Sequence, residues 1–479
     1  MPTHRTQLSP MEPAIHWFRR DLRLFDHQAL ARAGEGGRPV IGLFVLDPAI
    51  LQRPDTGASR VAYLLEALAS LDWDLRRRGS ALVIRRGSPR AVVPTVAAES
   101  GARLVTAVRA FEPSARTRDE AVARVLEANG RSLWLSAEQL LLDPASLPPL
   151  RTFSACRRRF DSVLSDGLPP TTPTPAFLGV GNLPQSDRLP APSELGLLRT
   201  DRIWEAGERA ADHRLRTFVG QRLGDYATAR DDPGADATSR LSPDLHFGVL
   251  SVRTVIRAAL DAVQDAPLAA SGARRWLEQL AWRDFFSSTL WHFPEVATLE
   301  YKVELRNLPW PGAADSLEAW KQGMTGYPIV DAAMRQLRAE HFMHNRCRMI
   351  AASFLVKDLH LDWRHGERHF GRELVDGDLA NNNGGWQWVA ATGPDAQPYF
   401  RILNPVLQGE THDPSGAYVR RWVPELRRLP DRYTHRPWEA PSPPTGYPRR
   451  IVDHARERLV ALELYRACGP LPQGSSVRS

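Results

Sequence analysis

The first third of the chain alternates short apolar runs with amphipathic stretches, and this alternation constrains the fold more than any other feature. The apolar runs predict strands at residues 15–18, 39–46, 81–84, 104–108 and 132–135. The stretches between them predict helices at residues 27–33, 58–78, 89–100 and 114–128. Strict alternation of strand and helix is typical of a parallel, doubly wound α/β sheet. We therefore expect an α/β domain at residues 14–143, with Ser114 as the N-cap of its last helix.

This first domain lacks the glycine fingerprint of dinucleotide binding after its first strand. Two interpretations stay open. The domain is either a scaffold, or it holds a small ligand at the carboxyl edge of its sheet, where open α/β sheets bind ligands.

From residue 206 onwards the pattern is helical. Apolar residues recur at spacings of three and four over residues 209–226, 251–262, 272–286, 316–323, 327–340, 345–359, 363–374 and 451–468. We expect an all-α domain at residues 206–470. The segment 144–205 is rich in proline, which predicts an interdomain connector without helix or sheet. Residues 1–13, with Met11 as an alternative start, predict a disordered leader, and residues 471–479 predict a tail.

Charge and composition narrow the class of protein. The net charge of +7 and the fourteen tryptophans favour a partner that is a polyanion with stacking bases. The cysteines, Cys156, Cys347 and Cys468, form no CxxC pattern, which predicts a reducing cytosol and no metal site. No apolar run approaches the roughly 20 residues that span a bilayer. We expect a cytoplasmic protein without a membrane partner.

The stretch DGDLANNNGGWQW at Asp376–Trp388 is the densest in unusual residues. Asparagine and glycine are poor helix formers, so the pattern disfavours regular structure. A backbone pressed against a large planar group would need the close approach that glycine permits, with Asp376 and Asp378 at the polar edge of that group. The alternative is a turn in which Trp386 and Trp388 pack one helix onto another.

Three further patterns suggest ligand contacts. On the helix at 276–286, one face carries Gln279, Trp282, Arg283 and Phe286, a mixture that suits a flat polar ligand; the alternative is a boundary face with an extended arginine. Residues 238–243 read as an anion-binding nest or as an ordinary helix cap. The heptad at 343–349 offers an amide, a guanidinium and a thioether within one turn.

Several of these strings resemble the photolyase/cryptochrome family. The matches to its flavin domain are TSRLSP at 238–243, WRDFF at 282–286, TGYPIVDAAMRQL at 325–337, MHNRCRMIAASFLVKDL at 343–359, DWRHGERHF at 362–370 and DGDLANNNGGWQW at 376–388. HWFRRDLRLFDHQAL at 16–30 is similar to its antenna domain. The strings occur in the family's order, and they look most like class I cyclobutane pyrimidine dimer (CPD) photolyases.

The resemblance implies an FAD folded into the all-α domain. The implied cofactor-binding residues are Tyr226, Thr238, Ser239, Arg240, Leu241, Ser242, Trp276, Arg348, Asp376, Gly377, Asp378 and Asn382. Arg348 is expected to pair with Asp376, and Asn382 to face flavin N5. The implied electron-transfer chain from flavin to surface is Trp386, Trp363 and Trp310, and Asn382 and Gln279 are the other implied catalytic residues.

The implied activity is light-driven repair of DNA, in which an electron from excited reduced FAD splits a dimer that has been flipped out of the duplex. Extrusion is required because a stacked lesion cannot reach a buried flavin. The residues expected to contact DNA are Arg230, Gln279, Trp282, Arg283, Asn345, Arg346, Met349, Trp388 and Gln408. We expect a monomer that acts in the cytoplasm and lies at the nucleoid when bound to damaged DNA.

Two positions depart from the family pattern. Gln279 stands where CPD photolyases usually have glutamate, and glutamine there resembles 6-4 photolyases and animal-type cryptochromes. Those enzymes have histidines at the positions of Asn345 and Met349, so CPD repair is the preferred expectation. Glu112 falls where a folate-binding acid would lie, but Tyr301 replaces the cysteine of an expected Cys-Lys pair. The antenna chromophore, folate or deazaflavin, stays unassigned.

Three functions are compatible with these motifs. The first is CPD repair, with 6-4 repair as its variant. The second is a cryptochrome-like blue-light photoreceptor, which a long C-terminal tail would favour; the sequence after residue 468 is short. The third is a lesion-binding module without photochemistry, which the DGD motif, Asn382 and the tryptophans disfavour.

Overall fold

A computed structural model describes residues 12–53, 55–176, 183–195, 204–395 and 401–468. Most of the expected leader and all of the expected tail lie outside these residues. Five parallel strands form one sheet in the order β3-β2-β1-β4-β5. The strands are β1 Ala14–Phe18, β2 Val40–Leu46, β3 Leu82–Arg86, β4 Leu104–Val108 and β5 Ser132–Ser136. The predicted doubly wound sheet is confirmed, and its central strands β1 and β2 are buried throughout, as their continuous apolar runs require.

Helices accompany the strands of this sheet. They are α1 Gln28–Ala33, α2 Pro48–Leu51, α3 Ala58–Arg76, α4 Pro89–Ser100 and α5 Pro113–Ala128. The prediction of Ser114 as an N-cap was wrong. Glu112 occupies that position, and Pro113 is the first helical residue, where its missing N–H and fixed φ are suited to a helix start.

The connector prediction was wrong in part. Residues 153–166 form helix α6, Phe153–Asp166, which begins where the Thr152 side chain accepts a hydrogen bond from the Ala155 N–H. Cys156 and Phe160 on this helix are fully buried. The helix was overlooked because prolines crowd both of its flanks but are absent within it. Residues 177–182 and 196–203 of the connector lie outside the described residues.

The second domain contains helices and no strand within residues 204–395 and 401–468. Its helices are α7 Glu208–Gln221, α8 Tyr226–Ala229, α9 Ser242–Phe247, α10 Val252–Asp265, α11 Ala270–His292, α12 Ala314–Gln322, α13 Pro328–Glu340, α14 Asn345–Lys357, α15 Trp363–Glu373, α16 Leu379–Val389, α17 Pro405–His412, α18 Ala417–Trp422, α19 Asp431–Thr434 and α20 His454–Ala467. The predicted all-α domain is confirmed. No described helix has the length and apolar character that crossing a membrane demands.

A buried polar network fixes the first domain against the second. Arg253 on α10 donates to the carboxylate of Asp26 at 2.6 Å. Arg23 donates to the carbonyl of Gly248 at 3.0 Å and to Glu138 at 3.2 Å. These groups are almost inaccessible to water, so removing one partner would leave a buried charge uncompensated. The loop after β1 is therefore held firmly beside the start of the helical domain.

Candidate functional site

A cavity of about 670 Å³ lies among α8, α9, α11, α14 and α16, and we call it the helical-domain cavity. It collects most of the residues that the sequence singles out. The predicted site residues that line it are Tyr226, Arg230, Thr238, Ser239, Leu241, Ser242, Trp276, Gln279, Trp282, Arg283, Asn345, Arg346, Arg348, Met349, Asp376, Gly377, Asp378, Asn382, Trp386 and Trp388. Those that do not line it are Arg240, Trp310, Trp363 and Gln408.

The DGD segment forms the start of a helix. Residues 379–389 are helical, so the expectation of irregular backbone was wrong. Asp378 is the N-cap, and its carboxylate accepts from the backbone and side-chain nitrogens of Asn381 at 3.0 and 2.8 Å. This cap and the packing of the helix outweigh the low helix propensity of asparagine and glycine. The helical geometry places Asn382, Gly385 and Trp386 on the wall of the cavity.

The two adjacent glycines of α16 have different surroundings. A Cβ on Gly384 would lie 2.2 Å from the Phe286 ring of α11. A Cβ on Gly385 would meet no atom of the described residues within 4 Å outside its own helix backbone, and this residue borders the cavity. Gly384 thus permits close packing of two helices, while Gly385 leaves room that a ligand can fill.

Asp376 and Arg348 form the expected ion pair. The Arg348 Nη2 donates to the two carboxylate oxygens of Asp376 at 3.1 and 2.9 Å. Arg348 also donates through Nε to the carbonyl of Met343 at 2.8 Å, so the guanidinium is held at two points. The Asp376 side chain is only 4% exposed, and the ion pair offsets the cost of burying its carboxylate.

The side-chain amide of Asn382 is hydrogen-bonded to helix α15. Its Nδ2 donates to the Glu367 carbonyl at 2.8 Å, and Asn383 Nδ2 donates to the Glu367 carboxyl at 2.9 Å. Burial raises the pKa of Glu367 to about 7, against the opposing effect of the Asn383 hydrogen bond. A carboxyl that changes its protonation near neutral pH thus lies next to the residue expected to face flavin N5.

Glu367 should make folding stability depend on pH. Its folded pKa of about 7 lies above the ordinary 4.5, so the unfolded chain loses this proton first and stability falls as pH rises from 4.5 through 7. We expect Glu367→Gln to remove this pH dependence, which amounts to at most about 3 kcal/mol of unfolding free energy between pH 4.5 and pH 7. Urea unfolding at several pH values measures it, with Glu318→Gln, which removes an exposed carboxyl, as control. An unchanged slope in Glu367→Gln would refute the assignment.

The face of α11 mixes internal contacts with cavity contacts. Trp282 stacks on Phe153 of α6, with ring centroids 3.7 Å apart and 4° between the planes. Arg283 donates to the carbonyls of Gln139 at 2.8 Å and Leu245 at 3.3 Å, so its guanidinium joins three segments of the protein. The expected contact of Arg283 with DNA stays a prediction, although the residue borders the cavity.

Gln279 is hydrogen-bonded within the same cavity. Its Oε1 accepts from Arg230 Nη2 at 3.3 Å, and its Nε2 donates to the Arg275 carbonyl at 3.3 Å. Glu278, the adjacent acid, pairs with Arg275 at 2.9 Å. The uncharged amide oxygen therefore accepts from the charged guanidinium of Arg230, whereas a glutamate here would add a negative charge and form an ion pair.

The segment at 238–242 leads into the short helix α9. Trp276 Nε1 donates to Ser239 Oγ at 3.3 Å, which ties the segment to α11. Arg240 has a left-handed backbone with φ of 52° and lies near Asp236 and Glu340, away from the cavity lining. A direct cofactor contact by Arg240 stays a prediction.

The three tryptophans of the expected electron-transfer chain share one hydrophobic cluster of the helical domain. Trp363 and Trp386 are 0% and 3% exposed, and Trp310 is partly buried at its margin. Only Trp386 borders the cavity. Trp363 Nε1 donates to Glu300 at 3.2 Å, and Gly366 packs directly on the Trp386 ring. Electron transfer along these three tryptophans stays a prediction.

Three further residues are expected to contact DNA: Asn345 and Arg346, which line the cavity, and Gln408, which does not. Asn345 is exposed, and Arg346 pairs with Asp231 at 3.0 Å. Gln408 lies on α17, and its Oε1 has no hydrogen-bond partner among the described residues. Contact of these residues with DNA stays a prediction.

Sequence reasoning missed four residues of the site. Arg20 of the first domain and His246 of α9 contact Asp378. Glu367 accepts hydrogen bonds from Asn382 and Asn383. Asn381 donates to Asp378, the N-cap of α16. Glu367 lies within the string DWRHGERHF, and its position in a family match was the signal available. Arg20 lies within the matching string at 16–30, but its pairing with Asp378 could not be predicted because the two residues are 358 positions apart.

A second cavity of about 660 Å³ opens at the carboxyl edge of the sheet, and we call it the sheet-edge cavity. Its aromatic lining includes Trp17, Phe44 and Phe247, and its arginines are Arg19, Arg20, Arg53, Arg60, Arg109, Arg118, Arg364 and Arg368. Glu112 also lines it. His246, Gly377, Asp378 and Asn382 line both cavities, so the two share a wall.

Comparison with known proteins agrees with this architecture. The model of the family described as DNA photolyase matches residues 14–176, and the model described as FAD binding domain of DNA photolyase matches residues 276–467. The chain belongs to the DNA photolyase family. A deoxyribodipyrimidine photo-lyase from Synechococcus is 40% identical over 92% of this chain and 94% of its own length. The enzyme of that name from Escherichia coli K12 is 35% identical over 95% and 99%.

Solved photolyase-family structures have the same fold. A class III photolyase from Agrobacterium tumefaciens has a TM-score of 0.89 and 36% identity over 97% of this chain and 99% of its own. A cryptochrome from Synechocystis has a TM-score of 0.88 and 29% identity over 94% and 99%. A Sulfolobus tokodaii photolyase with two FAD molecules has a TM-score of 0.83 and 31% identity over 95% and 100%. Since a cryptochrome and photolyases superpose equally well, the fold alone does not separate repair from signalling.

Proposed function

We propose that this protein repairs cyclobutane pyrimidine dimers in DNA by a light-dependent reaction of bound FAD. The observation that carries the proposal is that one cavity joins the residues expected to hold FAD with those expected to hold DNA. The helical-domain cavity is lined both by Asp376, Asp378 and Asn382 and by Trp282 and Trp388. The relatives named deoxyribodipyrimidine photo-lyase support the same activity over nearly the full chain.

The residues present fit FAD. A volume of about 670 Å³ is in the range of cofactor sites. The hydroxyls of Thr238, Ser239 and Ser242 offer donors suited to phosphate, and Asp376 and Asp378 offer acceptors suited to N–H groups. The open space beside Gly385 is where a planar group can contact backbone. When bound and reduced, FAD supplies the light absorption and the electron-donating chemistry of the reaction.

The protein's own residues then have distinct tasks. Trp282 and Trp388 provide an apolar cleft for flipped bases, and stacking is worth about 1–3 kcal/mol per base. Arg230 and Arg346 favour phosphates near the lesion without reading sequence. Asn382 holds its donor group on the Glu367 carbonyl, which leaves its carbonyl oxygen for the cavity. The cluster of Trp386, Trp363 and Trp310 provides a path for electrons from solvent.

Gln279 should lower the repair yield relative to a glutamate at this position. Glutamine can hydrogen-bond a pyrimidine but cannot supply a proton or a negative charge. We expect Gln279→Glu to raise the quantum yield of CPD repair a few-fold and to convert the Arg230 contact into an ion pair. Measurement of repair per absorbed photon tests this, and Glu278→Gln is the neighbouring control. An equal or smaller yield in Gln279→Glu would refute it.

The same glutamine favours one alternative, the repair of 6-4 photoproducts. Against it, Asn345 and Met349 occupy positions where the resembling 6-4 enzymes have histidines, and both border the cavity. CPD repair is therefore the preferred proposal.

The sheet-edge cavity is the candidate site for a light-harvesting second cofactor. Its aromatic and arginine-rich lining suits an aromatic anion, and the Sulfolobus tokodaii structure carries a second FAD implicated as a light-harvesting cofactor. We propose further that the protein acts as a monomer in the cytoplasm.

The proposal is tested with purified protein whose bound FAD has been reduced. An oligonucleotide with one thymine dimer is mixed with it and exposed to blue light, and the return of pyrimidine absorbance is followed against a dark sample. Light-dependent return is the expected result. A protein that holds reducible FAD but restores no absorbance would overturn the proposed repair.

A further inference from the structure

We infer that Arg20 is a positioning residue for Asp378, and that Glu112 opposes it from the sheet-edge cavity, so that the first domain sets the electrostatics of the flavin site. This inference rests on the proposed FAD site. It names residues of the α/β domain that act on the cofactor through the shared wall of the two cavities.

Arg20 lies in the loop after β1 and reaches across the domain boundary. Its Nη1 donates to Asp378 Oδ2 at 2.9 Å. Its Nη2 forms an ion pair with Glu112, the N-cap residue of α5. Arg20 thus joins an acid of the sheet-edge cavity to an acid of the helical-domain cavity.

The two oxygens of Asp378 have separate partners. Oδ1 accepts from Asn381 at the start of α16, as an N-cap. Oδ2 is 2.9 Å from Arg20 and 3.4 Å from His246 Nδ1. Since the helix start already holds one oxygen, Arg20 and His246 determine how the second oxygen is oriented and how much of its charge is neutralised.

The three side chains are largely shielded from water. Arg20, Glu112 and Asp378 are 25%, 24% and 19% exposed. At such sites charge interactions are less screened than on the surface. Removing the charge of Arg20 or Glu112 should therefore change the electrostatic potential at a flavin next to Asp378.

Substitutions of Arg20 and of Glu112 should shift the midpoint potential of bound flavin in opposite directions. Removing the positive charge of Arg20 leaves Asp378 less neutralised, which disfavours added electrons and lowers the midpoint potential of bound flavin. Removing the negative charge of Glu112 frees Arg20 to neutralise Asp378 more completely, which raises it. A merely structural loosening would move both variants in the same direction.

The experiment uses the full chain loaded with FAD. Midpoint potential is measured by spectroelectrochemistry, and FAD affinity by titration, for the wild type, Arg20→Gln, Arg20→Lys, Glu112→Gln and the double variant. Arg76→Gln is the control, because Arg76 is an exposed arginine of the first domain that pairs with Asp72 and lines neither cavity.

We expect Arg20→Gln to lower the potential and to weaken FAD binding about tenfold, as for a lost charge-assisted hydrogen bond. Arg20→Lys should retain most of the wild-type midpoint potential and FAD affinity. Glu112→Gln should raise the potential in the wild type but shift it much less when Arg20 is already glutamine. Arg76→Gln should match the wild type.

Three results would overturn the inference. They are an unchanged potential in Arg20→Gln, an equal effect of Glu112→Gln in both backgrounds, and a fall in potential for Glu112→Gln. A wild-type protein that takes up no FAD would overturn the proposed function and this inference with it. FAD uptake with unmoved variants would overturn this inference alone.

Discussion

Gly384→Ala should destabilise the fold, whereas Gly385→Ala should leave the fold intact and weaken FAD binding. At position 384 the new methyl group would lie 2.2 Å from the Phe286 ring, so α11 and α16 must move apart. Overpacking of this kind costs about 1–3 kcal/mol. At position 385 the methyl group meets no atom of the described part of the chain within 4 Å outside its own helix backbone, and alanine is the better helix former by about 0.5–1 kcal/mol.

The two glycine variants are each other's control. Urea unfolding of the cofactor-free proteins should rank them Gly385→Ala, wild type, Gly384→Ala in decreasing stability. FAD titration should show at least about a tenfold weaker affinity for Gly385→Ala, because its methyl group enters space that the cofactor would fill. Wild-type affinity in Gly385→Ala would show that FAD does not contact this face of α16.

Arg348→Ala should cost both stability and cofactor. The substitution leaves the Asp376 carboxylate, which is 4% exposed, without its charge partner, and breaking a buried pair costs about 3 kcal/mol or more. It also frees the carbonyl of Met343. We expect a lower urea midpoint and a protein purified with little FAD.

Arg346→Ala provides the matched comparison on the same helix. Arg346 pairs with Asp231, whose side chain is 43% exposed, and exposed pairs contribute about 1 kcal/mol or less. This variant should retain FAD and wild-type stability while binding damaged DNA more weakly. Equal loss of stability in both variants would contradict the distinction drawn between the two ion pairs.

Much of the fold could be predicted because local pattern and global structure agree. Strands β1 and β2 are buried throughout, and all five strands were predicted within two residues at either end. Helix α6 could not be predicted because prolines dominate the connector on both sides of it, although Phe153–Asp166 itself contains none. Helix α16 was missed because propensity outweighed the cap at Asp378, which tertiary packing supports.

The site residues likewise divide into those that a local sequence pattern predicts and those that depend on contacts between distant segments. Residues within contiguous strings, such as Asp376, Asn382 and Trp386, could be predicted and do share one cavity. Arg20 could not, because its role depends on a loop of the first domain meeting the start of α16. The stacking of Trp282 on Phe153 could likewise not be predicted, because the sequence pattern did not indicate helix α6. Contacts between distant segments are set by packing, which no local pattern records.

The most direct test of the proposed activity compares two lesions on one enzyme. Oligonucleotides of one sequence, carrying either a cyclobutane dimer or a 6-4 photoproduct, are illuminated with the reduced, FAD-loaded protein, and intact DNA is quantified by chromatography against dark samples. We predict light-dependent restoration of the cyclobutane dimer and no restoration of the 6-4 photoproduct. Repair of the 6-4 photoproduct alone, or of neither lesion while FAD remains reduced, would contradict CPD repair.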